Sequence, residues 1–305
     1  MCMKRKLLCI LGPTAIGKTE IAIEVAQRLN AEIVSVDSRQ IYREMDIGTA
    51  KPTWEEQQQA RHHLIDCVDI AQPFSVAAYQ NLADAAIRDI QNRDKRVMLV
   101  GGAGLYFRAI VDGLFEGPGA DAAIRKRLHQ EAAQQGVEAL HTRLCACDAA
   151  SAERIHPNNL VKVIRALEVY ELTGTPISQL QQQWNNKPRY PFIAFGLSMP
   201  REILYRRIEQ RVDAMLADGL IGEVKGLLKR GHSRNSIALQ SFGYKELIAY
   251  LDGNCTLDEA IEQLKQNTRR FAKRQLTWFR GDIRITWLER ESREQVVAAL
   301  SSCIP

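Results

Sequence analysis

A chain of 305 residues, 46% hydrophobic and 25% charged, has room for one large domain or two smaller ones, with the make-up of an ordinary globular protein. Its net charge of +5 permits a nucleic-acid partner without requiring one. Seven cysteines, an odd number with no Cys-x-x-Cys pair, argue against a disulfide scaffold, and the one early apolar run is too short for a signal peptide or a membrane span, so free thiols and a cytoplasmic location are expected.

Lys6 to Leu11 reads as a short apolar strand. The next eight residues, Gly12-Pro13-Thr14-Ala15-Ile16-Gly17-Lys18-Thr19, fit the phosphate-cradling pattern G-x-x-x-x-G-K-[ST], and Glu20 to Leu29 reads as the helix that should follow. Glycines let the backbone turn tightly enough for several N–H groups to face one phosphate cluster. The helix N-terminus adds partial positive charge, Lys18 a full one, and the Thr19 hydroxyl an oxygen suited to Mg²⁺. A diphosphate is therefore the expected ligand group.

Ala31 to Val36 reads as a second strand, ending at Asp37-Ser38-Arg39-Gln40-Ile41-Tyr42. In a parallel sheet the carboxyl ends of strands carry functional loops, so Asp37 should share an edge with the phosphate loop. A helix N-cap, a Mg²⁺ ligand and a general base are all open readings for it. Asp46 to Pro52 is loop-like, with Pro52 placed to open a short helix, and the pair His62-His63 reads as structural rather than metal-binding. Ser75 to Ile90 is an amphipathic helix and Arg96 to Val100 a buried strand. That strand runs into Gly101-Gly102-Ala103-Gly104, which is either a plain tight turn or a second close approach to a ligand.

Composition then shifts. Residues 120–188, rich in Ala and Gln and closed by a linker at Asn185 to Pro191, read as an all-helical insertion in a core made of residues 1–119 and 189–305. Arg125, Lys162 and Arg165 lie on its helices. Cys145 and Cys147, with His141 and His156, match no structural zinc spacing. Phe192 to Leu197 is another strand, Pro200 to Asp218 and Leu220 to Lys229 are helices, and Ser236 to Tyr250 holds Gln240-Ser241-Phe242-Gly243-Tyr244-Lys245. Thr256-Leu257-Asp258-Glu259 is a capping box opening a helix to Arg280. On that helix Lys265, Arg269 and Lys273 recur every four residues, with no acid between Gln263 and Arg280. An uncompensated basic stripe suits a phosphate backbone, whereas a solvated face normally mixes both signs. A last strand, Ile283 to Leu288, and a last helix, Ser292 to Cys303, complete an expected five-stranded α/β fold: a P-loop NTPase-like parallel sheet flanked by helices, with an inserted helical lobe. No strand carries a persuasive Walker-B acid. Two activities fit the residues, a small-molecule or nucleotide kinase using ATP and a P-loop enzyme acting on RNA, and the basic stripe favours the second.

The ordered motifs make the chain resemble the bacterial tRNA dimethylallyltransferases. They are the phosphate loop, Asp37 to Tyr42, Asp46 to Pro52, His62 to Asp66, Gly101-Gly102 to Tyr106, Arg165-Ala166-Leu167-Glu168-Val169, Gly243-Tyr244-Lys245-Glu246 and Thr268-Arg269 to Trp278. The resemblance implies transfer of a dimethylallyl group from its diphosphate to N6 of the adenosine on the 3′ side of the anticodon. Gly12 to Thr19 would hold the donor diphosphate, with Mg²⁺ on Thr19, and Lys18, Thr19 and Asp37 would carry the chemistry, Asp37 as general base. Residues implied on the tRNA side are Asp37, Ser38, Arg39, Gln40, Ala103, Arg125, Lys162, Arg165, Gln240, Gly243, Tyr244, Lys245, Arg269 and Lys273. The insert and the basic helix would grip the anticodon stem-loop from either side, with a monomer as the expected state. Three departures stand out: Ile16 replaces the usual Ser, Ala103 the usual Thr, and Val161-Lys162 the usual Gln-Arg.

Overall fold

The structure is a computed structural model that describes residues 6–115, 117–181, 188–290 and 292–303. Residues 182–187, which hold the end of the expected helical run and the first three residues of its linker, lie outside the described residues. The chain divides into two compact units, Met1–Val111 with Pro188–Pro305, and Asp112–Lys187, so the division falls ahead of the composition shift at Ala120.

The larger unit begins with β1 (Leu7–Leu11), α1 (Lys18–Leu29), β2 (Ala31–Val36), α2 (Trp54–Gln59), β3 (His62–His63), α3 (Val76–Asn92), β4 (Arg96–Gly101) and α4 (Gly104–Val111). The smaller unit contributes α5 (Ala122–Gln135), α6 (Val137–Cys147), α7 (Ala149–Arg154), α8 (Leu160–Thr173) and α9 (Ile177–Gln181). The larger unit resumes with β5 (Phe192–Ser198), α10 (Arg201–Ala217), α11 (Leu220–Lys229), α12 (Tyr244–Leu251), α13 (Leu257–Arg280), β6 (Ile285–Glu289) and α14 (Arg293–Ser302).

Six strands form one sheet in the order β3-β2-β4-β1-β5-β6, and every neighbouring pair is parallel. The strand beyond the expected five is β3, in which His62 and His63 pair with Ile33 and Val34. Two polar residues leave no periodic trace, so β3 exists only because β2 offers an edge. β1 is apolar throughout, and β4 and β5 nearly so, because helices cover both faces. Alternation sorts β1 accordingly: Leu7, Cys9 and Leu11 enter one core with Tyr79, Phe107 and Phe279, while Leu8 and Ile10 enter the other with Ile21, Val25 and Ile208. Local signals hold at the helix ends. Thr256 caps α13 through Glu259 N–H at 3.3 Å, and Glu259 accepts from Thr256 N–H at 2.8 Å. Thr53 caps α2 in the same reciprocal way, so the helix opens after Thr53 rather than at Pro52. Of Ser236 to Tyr250, only the portion from Tyr244 is regular helix.

The smaller unit is helical, with its own core of Leu128, Leu140, Leu144, Val163 and Leu167. At its centre Glu168 is fully buried. It accepts from Arg125 Nε at 2.8 Å and Nη2 at 3.0 Å, from Arg165 Nη1 at 2.6 Å and from Asp121 N–H at 2.7 Å. Burial pushes its carboxyl up, yet the two guanidiniums outweigh that and hold it below the usual range. Glu168→Gln should therefore destabilise the helical unit by about 2 kcal/mol, less than a wholly enclosed pair because both arginines are partly open to water. Native-state hydrogen exchange is the check: protection of α5 and α8 should fall while β1 and β4 keep theirs.

Candidate functional site

The carboxyl ends of β2, β4 and β1, adjacent in the sheet, carry the Asp37 turn, the Gly101-Gly102 turn and the phosphate loop. All three border one cavity of about 220 Å³ in the larger unit. The phosphate loop is bent by left-handed residues, Ala15 at φ 63° and Gly17 at φ 85°. Turning its N–H groups inward sends its carbonyls outward, and each of those needs a donor. Arg207 Nε reaches Ala15 O at 2.9 Å, and Arg290 Nη1 donates to Ile16 O. The Lys18 ammonium donates to Gly12 O at 3.1 Å and Pro13 O at 2.7 Å. Gln275, on α13, accepts from Thr14 N–H at 2.8 Å. Ile16 is fully buried in the core beneath the loop, so an apolar side chain where a Ser is usual packs without loss. Arg211 also borders the cavity, with a guanidinium nitrogen 3.5 Å from the Thr14 hydroxyl.

Burial and the nearby Arg211 lower Lys18 to about 7, against the opposing pull of Asp37. Burial likewise lowers Arg211, with Arg207 adding repulsion. Cations crowded together at the expense of their own charge form a site that a polyanion would relieve.

Asp37 caps no helix, because the residues that follow it form a turn. Its Oδ1 accepts from Arg39 N–H at 2.7 Å and Gln40 N–H at 3.3 Å, which is a turn anchor. Its Oδ2 has no hydrogen-bond partner among the described residues and belongs to a side chain that borders the cavity. Gln40 Nε2 donates to Thr49 O at 3.4 Å and Ala50 O at 3.0 Å, pinning the Asp46–Pro52 loop to the same wall. Glu223, which sequence reasoning missed, holds that loop from behind. It accepts N–H groups from Asp46 at 2.9 Å, Ile47 at 2.8 Å and Gly48 at 3.1 Å, and the Tyr244 hydroxyl at 2.6 Å. The far wall is apolar: Ile208, Val212, Met215, Leu264 and Phe271.

Of the residues offered to RNA, Asp37, Ser38, Arg39, Gln40, Ala103 and Gly243 border the cavity. Arg39 Nη1 donates to Ile237 O at 2.8 Å, and Gln240 Nε2 to Arg234 O at 2.8 Å. Lys245 stacks its ammonium 4.9 Å above the Phe242 ring. Lys162 is exposed. Other expectations need correction. Tyr244 is 0% exposed, since its ring packs in the core and its hydroxyl is committed to Glu223, so its side chain does not present itself to a polynucleotide. Arg125 and Arg165 are not free cations: both are ion-paired to the buried Glu168, though partly open to water. The stripe on α13 is not uncompensated either. Asp213 sits 2.7 Å from Lys265 and Glu209 sits 2.6 Å from Arg269. Both acids come from α10, four residues apart and facing α13, where a scan along α13 alone cannot see them. Lys273 and Arg270 remain exposed. Gln275, Arg207, Arg211 and Arg290 were missed as site residues. The i, i+4 spacing of Arg207 and Arg211 and the polar Gln275 in line with buried Leu264, Ala272 and Phe279 were the available signals. No group of three or more His, Cys, Asp or Glu side chains able to hold a metal occurs among the described residues, His141 and Cys145 included.

A profile of the IPP transferase family matches residues 40–282. The chain is 49% identical to a tRNA dimethylallyltransferase of Geobacter metallireducens, over 94% of this chain and 93% of that one. It is 50% identical to a tRNA dimethylallyltransferase of Geobacillus thermodenitrificans, over 96% and 93% respectively. Among solved structures it resembles a full-length tRNA isopentenylpyrophosphate transferase of Bacillus halodurans, with TM-score 0.74, 45% identity and coverage of 98% and 95%. It also resembles a eukaryotic dimethylallyltransferase captured acting on tRNA, with TM-score 0.80, 26% identity and coverage of 99% and 80%.

The depressed Lys18 has a measurable consequence. Above pH 7 the free protein carries a neutral Lys18, whereas a diphosphate in the loop favours the ammonium. Binding above pH 7 therefore takes up a proton, and affinity should fall as pH rises past that point and level off below it. Calorimetry with inorganic diphosphate at pH 8, in buffers of differing ionisation enthalpy, should read about one more proton taken up by the wild type than by Lys18→Met.

Proposed function

The chain belongs to the IPP transferase family, and from that premise we propose how its residues carry out the family's alkyl transfer. It is a prenyltransferase that moves a dimethylallyl group from dimethylallyl diphosphate to N6 of the adenosine 3′-adjacent to the anticodon in tRNA, releasing diphosphate. Its curated relatives support this and not a kinase. The observation that carries the residue-level reading is the meeting of three features on one cavity: a diphosphate loop, an anchored carboxylate with one free oxygen, and an apolar wall. A five-carbon tail needs the wall, its leaving group the loop, and its acceptor the carboxylate.

In the transfer, N6 attacks C1 of the dimethylallyl group and forms the C–N bond. The C1–O bond breaks, and its electron pair leaves with the diphosphate. Asp37 accepts the proton that N6 sheds, because an exocyclic aromatic amine is a weak nucleophile while it keeps both hydrogens. The N–H anchor on Oδ1 holds the carboxylate so that Oδ2 can do this. Amides of Ala15 to Thr19, Lys18 and Arg211 offset the charge growing on the leaving group. Lys18 must exchange the Gly12 and Pro13 carbonyls for phosphate oxygens to take part. The Thr19 hydroxyl is a hard oxygen on a residue bordering the cavity beside Lys18, and it would be the protein's ligand to Mg²⁺. When bound, Mg²⁺ supplies further charge neutralisation at the diphosphate. The adenine must leave the anticodon-loop stack to reach this cavity. No described helix is long and apolar enough to cross a membrane, and we assign the enzyme to the cytoplasm alongside its tRNA.

Incubation with an unmodified anticodon stem-loop and dimethylallyl diphosphate, followed by nucleoside mass analysis, tests the reaction: adenosine gaining one dimethylallyl group supports it, and phosphorylation of a small acceptor by ATP would overturn it. Asp37→Asn is expected to bind both substrates yet lose about 10²–10⁴-fold in single-turnover rate, the usual worth of a general base. For RNA binding, the ion pairs on α13 split the basic residues into two groups. Lys273→Ala should weaken tRNA binding and flatten its log–log salt dependence by up to about one unit of slope. Arg269→Ala, already neutralised by Glu209, should change the slope by much less, and tRNA titrations across several salt concentrations distinguish the two.

A further inference from the structure

We propose that Gln275 is a positioning residue that sets the spacing between the diphosphate loop and the base, an inference that rests on the transfer reaction above. Strands β1 and β4 are hydrogen-bonded up to the pair Leu11 and Gly101. The ladder ends at that pair and sets no distance between the two loops beyond it. The Gln275 side chain spans the gap. Its Oε1 accepts from Thr14 N–H at 2.8 Å on one loop, and its Nε2 donates to Gly102 O at 2.9 Å on the other. The two contacts fix the amide's orientation, because one partner only donates and the other only accepts.

The chain of contacts continues to the base. Gly102 and Ala103 donate their N–H groups to Val36 O at 3.1 and 3.0 Å, and Val36 precedes Asp37. Thr14, Gln275, Gly102 and Val36 thus form one hydrogen-bonded path from the leaving-group site to the proton acceptor. Gln275 itself is 8% exposed on α13, a rigid helix. A Cβ on Gly102 would fall 2.2 Å from its Nε2, so the glycine at that position admits the amide. The Thr14 contact has a second effect: it withholds one loop N–H from the ligand and steadies the left-handed Ala15 that follows. An ionised carboxylate in place of this amide could keep Thr14 but would face the Gly102 carbonyl oxygen with no hydrogen to give. A neutral carboxylic acid could satisfy both.

Two substitutions exploit that difference. Gln275→Met keeps the length and removes both hydrogen bonds. With circular dichroism showing an unchanged fold, its single-turnover transfer rate should drop about 10- to 100-fold, the cost of a misplacement on the order of an ångström, while tRNA affinity stays put. Gln275→Glu should match the Met variant at high pH and recover toward the wild type as pH is lowered and the buried acid takes its proton, each rate being compared with the wild type at the same pH. A Met variant as fast as the wild type, or a Glu variant that tracks Met at every pH, overturns the assignment. Were the wild type to transfer nothing to tRNA, the reaction reading would fail, and Gln275 would be judged on inorganic diphosphate alone. Binding about tenfold weaker in the Met variant would then support the positioning role, and equal affinity would overturn it.

Discussion

A loop that points its N–H groups at a ligand must point its carbonyls at something else. That constraint organises the structure around Gly12 to Thr19. The loop cannot satisfy its own backbone, since the conformation that builds the anion site excludes a helix or sheet ladder there. Donors therefore come from elsewhere in the larger unit: Arg207 from α10, Arg290 from just beyond β6, and Lys18 from the loop's own helix. The sheet supplies the platform, and α10 and α13 supply the hands.

The same arrangement concentrates positive charge. Burial first, with Arg211 adding repulsion, lowers Lys18 to about 7, and burial with repulsion from Arg207 lowers Arg211 and Arg290 as well. Such repulsion is tolerable in a protein whose other contacts over-determine the loop, and it is relieved when a diphosphate arrives. Electrostatic stabilisation of a leaving group works best when its donors are already in place and need no reorganisation. Arg290 also meets Glu20 at 3.1 Å, which keeps this cluster from being wholly unbalanced.

Opposite the diphosphate loop the constraint is reversed, because there backbone N–H groups need acceptors. Glu223 takes three of them from residues 46–48, and Tyr244 locks Glu223 in turn. Tyr244 thus serves the site from within the core, which is why a motif residue expected at the RNA surface is wholly buried. Glu168 plays a comparable part in the helical unit, drawing Arg125 and Arg165 inward. In both cases a carboxylate, half-buried in Glu223 and fully buried in Glu168, ties residues with a surface-binding look into the scaffold.

Sequence alone determined whatever depends on neighbours along the chain. Hydrophobic period located the central strands and the long helices, reciprocal capping marked the start of α13, and glycine spacing with Lys18 identified the diphosphate loop. The ordered motifs named the family, and the carboxyl-edge rule placed Asp37 beside that loop. Tertiary structure decided what depends on charge and hydrogen bonds between distant segments. Glu209 and Asp213 neutralise two of the three residues of a stripe that looked bare, because α10 lies against α13. Gln275 reaches Thr14 across 261 residues and Gly102 across 173, separations over which no periodicity survives. A two-residue strand such as β3 needs a partner's edge to exist at all. Local propensity writes a helix or a turn into a few adjacent residues, whereas a hydrogen bond between segments is a property of the packed chain and is visible only once packing has brought its two ends together.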